Sequence, residues 1–114
     1  MDSGQDLVNA MREQRKLLIE CVQVMKITGR KLAEAENKYR KALRKEILRL
    51  RVEDEVAWTA CDTLARGADE VAKLRLERDI RQSDYDVIIE KIHSVKLEIR
   101  LLENEIKQEW GASG

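Results

Sequence analysis

Proline and phenylalanine are absent from this 114-residue chain, and glycine occurs only five times. A chain with so few turn formers has few sharp stops, which argues against a fold built from many short elements joined by tight turns. Aromatic residues make up 4% of the sequence, too few for a thick globular core, so Leu, Ile, Val and Met must do the burying. The longest uninterrupted apolar runs are three residues, among them Leu17-Leu18-Ile19 and Val87-Ile88-Ile89, so no transmembrane span and no signal-peptide core is expected. The expected compartment is therefore the cytoplasm. Cysteine occurs twice, at Cys21 and Cys61, a separation that fits no metal or redox motif; each is expected to be a reduced, packed thiol. His93 is the single histidine. With Ile89, Ile92 and Lys96 around it on a helix it reads as a flank residue and not as a ligand or a catalytic base. Glycine-rich phosphate loops are missing, and one histidine with few hydroxyls supplies no nucleophile–base pair. The sequence thus predicts no enzyme, no cofactor and no metal site.

What remains is charge and apolar periodicity. Asp, Glu, Lys and Arg form 39% of the chain, in balance, which is the composition of long helices and coiled coils. Leu7, Met11, Gln14, Leu18, Cys21, Met25, Thr28, Leu32, Ala35, Tyr39 and Ala42 recur at alternating spacings of four and three, a heptad seam that passes to Leu43, Ile47 and Leu50. One helix is predicted over about 4–51, capped by Ser3 with Asp6. A second seam through Val71, Leu74, Arg78, Arg81, Tyr85, Ile88, Ile92, Val95, Ile99, Leu102 and Ile106 predicts a helix over about 69–110, followed by a frayed tail from Gly111 to Gly114. Leu76, Ile80, Val87, Ile89, Leu97 and Leu101 flank that seam and widen the apolar stripe beyond what one partner helix covers.

Between the seams, Val56, Ala57, Ala60, Cys61, Leu64 and Ala65 predict a short helix over about 55–66. It would be opened by the acids Glu53, Asp54 and Glu55, stopped by Gly67 in a left-handed conformation, and set across the open end of the hairpin. Trp58 on it is expected to act as a lid over the tip; the alternative is an exposed anchor for a partner. The fold class is accordingly all-α, a single domain made of a long antiparallel two-helix coiled-coil hairpin with a short connecting helix. Reversal near residue 60 pairs Leu18 with Leu102, Met25 with Val95, Leu32 with Ile88, Ala35 with Tyr85 and Tyr39 with Arg81. A lone hairpin would leave the wide stripe around Ile89, Leu97 and Leu101 wet, so a homodimer forming a four-helix bundle is expected.

The balanced total hides a local asymmetry. Between Lys26 and Arg51, ten Lys or Arg stand against three Glu, and Lys38, Lys41, Arg44 and Lys45 form the centre of this run. The plainer account is a solvated face with Glu34–Lys38 and Glu36–Arg40 pairs. The sharper one is a surface for nucleic acid or an acidic protein, though without the aromatic interleaving that single-strand binders use for stacking.

Three segments, GRKLAEAENKYRKALRKEILRLR (Gly29 to Arg51), LARGADEVAKLRLERDI (Leu64 to Ile80) and KLEIRLLENEIKQEWG (Lys96 to Gly111), resemble a family of small helical-hairpin proteins from phages and prophages of Gram-positive bacteria. The resemblance covers about half the chain and is one of sequence type, so it carries over no functional residue. It implies a phage-encoded protein in the cytoplasm of the infected or lysogenic host. The expected function is a non-catalytic interaction module that binds and modulates a host or phage protein, such as an anti-phage defence component. The alternatives are a nucleic-acid accessory factor using the basic stripe and a structural coiled-coil part of a virion.

Overall fold

The structure, a computed structural model, describes residues 4–111. Three helices occur in the order α1 (Gly4–Val52), α2 (Trp58–Gly67) and α3 (Asp69–Gly111). The two long helices pack against each other as a helical hairpin with α2 in the connection. The expected cap at Ser3 and the tail at Ala112, Ser113 and Gly114 lie outside the described residues. Asp6 lies in the first turn of α1 and Arg49 and Arg51 in its last, while Asp69 and Glu70 open α3, an arrangement that complements the helix dipoles.

The chain reverses through 53–57, and the acids there behave differently from the expectation. The first turn of α2 contains no acid. Asp54 and Glu53 instead fold back on Arg49 at the end of α1, at 3.2 Å and 3.6 Å, where Glu46 also binds the same guanidinium at 2.7 Å. The backbone amide of Val56 donates to the carbonyl of Leu50 (3.1 Å) and that of Glu53 to Arg49 (2.8 Å), so the turn is closed onto α1. Closing it requires a left-handed residue, and Glu55 takes that role with φ 55°. Gly67, expected to be the left-handed stop, is helical. No glycine among the described residues has positive φ, and the chain passes from α2 to α3 through extended Ala68.

Packing divides the chain into two compact units: residues up to Ile27 with those from Asp86 onward, and Thr28–Tyr85. In the first unit, Leu7, Met11 and Leu102 form a buried cluster with Ala10, Ile99 and Ile106 against it. A second cluster joins Cys21, Ile88 and Ile92, with Leu17, Leu18, Val22 and Met25 packed on it. Leu102 therefore meets Met11 and Leu7 where Leu18 was expected, and Met25 packs beside Ile88 and Ile92 where Val95 was expected. In the second unit, Leu50, Cys61 and Ala65 form the buried cluster, against which Leu43, Ile47 and Val56 pack. There, Tyr85, expected opposite Ala35, lies against Gly29: a Cβ built on Gly29 would stand 3.2 Å from the Tyr85 ring. Arg78, not Arg81, stacks on Tyr39, with its guanidinium carbon 4.6 Å from the ring centroid.

The physical reason for these corrections is that two heptad seams slid past each other by one heptad, about 10 Å, as in the first unit, or by three residues, as for Tyr39 and Arg78, still set seam against seam. Periodicity fixes which faces meet, and the position of the reversal fixes the register.

Both cysteines are free and buried. The Cys61 thiol donates to the Val56 carbonyl at 3.5 Å and so helps hold the reversal to α2.

Candidate interaction surfaces

In the first unit, the seam residues Ile88, Ile92, Val95 and Leu102 of α3 are buried. Val87, Leu97 and Leu101 are 67%, 53% and 47% exposed. At about 100° per residue these three fall within one arc of the helix, on the side away from the seam. Ile89, expected with them, is half-buried, because its position turns it toward the edge of the packed face. The outward apolar stripe of this unit is therefore Val87, Leu97 and Leu101.

In the second unit, α1 presents its basic face. Lys38, Lys41, Arg44 and Lys45 are all exposed, and none makes an ion pair among the described residues. The expected Glu34–Lys38 pair is not formed, whereas Arg40 binds Glu36 at 2.7 Å. Glu36 is the more attractive acid because it lies beside α3, where Arg78 also reaches it at 3.5 Å. The hydrogen bond from Arg40, ahead of the charge of Arg78, holds the Glu36 carboxyl below its ordinary range. Arg78 is further fixed by Asp79 at 2.8 Å. An open groove of about 630 Å³ beside Gly29, Tyr85, Arg40 and Arg78 is thus edged by cations already matched with carboxylates. The ring of Tyr39 lies buried beneath Arg78, and its hydroxyl has no hydrogen-bond partner.

A second groove, of about 620 Å³, runs between the end of α1 and the start of α3. Ala42, Leu48, Val52, Val71 and Leu74 supply its apolar lining; on the α1 side Glu46 and Glu53 are matched with Arg49, which leaves Lys45 as the unmatched charge there, and Glu70 stands on the α3 side. Sequence reading overlooked it, because Leu48 and Val52 stand outside the heptad seam. Their signal was their apolar character at the end of a basic face.

Trp58 is 59% exposed, with the Arg51 guanidinium carbon 5.3 Å from its ring centroid. It is not a lid. Cys61 and Ala65 are the residues that α2 buries; Trp58 stands three residues before Cys61 on the same helical face, but at the first position of the helix it remains exposed. His93 is exposed and lies 4.0 Å from Glu90 on its own helix, a flank position as expected. Among the described residues, no group of three His, Cys, Asp or Glu is placed to hold a metal ion, and no helix is long and apolar enough to cross a membrane. Comparison with protein-family models, with characterised proteins and with solved structures finds no match to this chain.

Proposed function

We propose that this chain is a non-catalytic protein-interaction module that binds a host protein and modulates it, inhibition of an anti-phage defence component being the most concrete form. The observation that carries the reading is the outward stripe of Val87, Leu97 and Leu101. Three branched apolar side chains on one helical face, away from the helix's own packing, forfeit several kcal/mol of burial while they stay wet. A partner recovers that energy. One such partner is a second copy, giving a two-fold dimer in which two hairpins form a four-helix bundle. Sedimentation over a wide concentration range tests this version, and a folded monomer at every concentration removes it. The host-protein version is tested by affinity capture from infected lysate with the wild type and a Leu97→Glu variant. The expected result is a stoichiometric partner with the wild type alone.

A second reading is favoured by one observation, the unpaired cations Lys38, Lys41, Arg44 and Lys45. It makes the basic face a nucleic-acid surface whose affinity falls steeply with salt. A mobility-shift titration at about 50 mM salt tests it, and absence of binding at micromolar protein excludes it.

A further inference from the structure

Two features of the second unit adjoin each other. The groove between α1 and α3 has an apolar lining in which Leu48 and Val52 remain 47% and 75% exposed. The α1 wall beside it continues into Lys45, Lys41 and Lys38, which step back along the helix by four and three residues and carry no ion pair among the described residues. The opposite wall, on α3, carries Glu70, also without an ion pair. From Ala42 to Glu53 the α1 wall of the groove runs for about 16 Å, or three helical turns, with Lys41 just beyond its end.

We propose that this groove receives an amphipathic helix of a partner protein. Its apolar stripe would sit on Leu48, Val52 and Leu74, and its carboxylates would face Lys41 and Lys45. The proposal rests on the reading of the chain as an interaction module and names the chemistry of one partner element. Helix-in-groove recognition uses apolar anchors at i, i+3 or i+4 and i+7, which matches a wall three turns long. Charge fixes the orientation: acids on the flank over α1, a basic residue toward Glu70 on the other.

Other occupants fit less well. A nucleic-acid backbone would neutralise the lysines but leave Leu48, Val52 and Leu74 uncovered. A second copy docked through this same face about a two-fold axis would set hollow against hollow, which leaves the groove unfilled.

The test uses the full chain and two synthetic labelled helices of roughly 18 residues, about five turns, with the same leucine stripe. One carries glutamates on the flank that faces α1 and lysines on the other; the second has lysines on both. Fluorescence anisotropy at about 100 mM salt is expected to show micromolar binding of the glutamate-flanked helix and at least about tenfold weaker binding of the other. Val52→Glu and the pair Lys41→Glu with Lys45→Glu should each weaken the first peptide about tenfold or more, with unchanged helical circular dichroism. Leu97→Glu, in the other unit, should leave its affinity unaltered. Equal binding of the two peptides, binding insensitive to Val52→Glu, or no binding of either overturns the proposal. So does displacement of the bound peptide by an equal charge of DNA duplex together with insensitivity to Val52→Glu, which would make the face a nucleic-acid site. If lysate capture through the Leu97 stripe persists while neither peptide binds, the groove assignment has failed and the interaction reading has not.

Discussion

Glu55 holds the reversal between α1 and α2 in a left-handed conformation that suits glycine, with φ 55°. For a residue with a Cβ this costs about 1 kcal/mol or somewhat more. Glu55→Gly is therefore expected to stabilise the chain by up to about 1 kcal/mol, less the entropy that glycine adds to the unfolded state, read as a higher urea midpoint at unchanged slope. Gly67 offers the reverse case: it is helical and nothing stands within 4 Å of a Cβ built there. Gly67→Ala should also stabilise, by roughly 0.5–1 kcal/mol. A single charged residue also makes a pH prediction. The Glu36 carboxyl is held below the ordinary carboxylate range, first by the hydrogen bond from Arg40 and then by the charge of Arg78. Its stabilising contribution is complete above the unfolded value and is lost as pH falls through the lowered folded value. Urea midpoints of the wild type should therefore fall more between about pH 6 and pH 3 than those of Glu36→Gln. Equal falls would mean that the Arg40–Glu36–Arg78 contacts contribute nothing in solution.

At the scale of the elements, the sequence made the helices legible because each carries a heptad seam of eleven or more positions. Their register was not legible. Neither seam contains a residue that only one partner could accept: Arg78 and Arg81 are both seam arginines able to stack on Tyr39, and Ala35 and Gly29 are both small enough for Tyr85. The deciding feature is where the chain turns, and the turn uses Glu55 where a reader looks for glycine. The same displacement hid the Glu36–Arg78 pair, since it joins helices at a register that the pattern did not select. Gly29 makes this register testable. Gly29→Leu should cost about 1–3 kcal/mol in thermal or urea unfolding by displacing the Tyr85 ring, and the double variant with Tyr85→Ala should recover part of that cost. Independent costs that simply add would place Tyr85 elsewhere. Methyl NOEs give the matching test in the first unit: Leu102 should contact Met11 or Leu7 and not Leu18.

For the whole molecule, composition pointed correctly to an all-α chain, while the surfaces were only partly legible. The basic run could be counted in the sequence, yet only the structure distinguishes Arg40, bound to Glu36, from Lys38, Lys41, Arg44 and Lys45, which are unpaired among the described residues. The flank of the second seam could be marked as apolar, yet burial separates Ile89, half-buried, from Val87, Leu97 and Leu101, which are exposed. Partner identity leaves no trace in such a stripe, because apolar burial is non-directional and suits any complementary surface. The central claim is that the outward stripe of α3 is a binding surface for another protein. It is tested most directly by affinity capture with the wild type and two stripe variants, Val87→Glu and Leu97→Glu, each confirmed folded by circular dichroism. The predicted result is one stoichiometric protein recovered by the wild type, with recovery reduced at least about tenfold by either variant, as expected when a charge enters an apolar contact. Recovery of the same proteins in the same amounts by all three would contradict it.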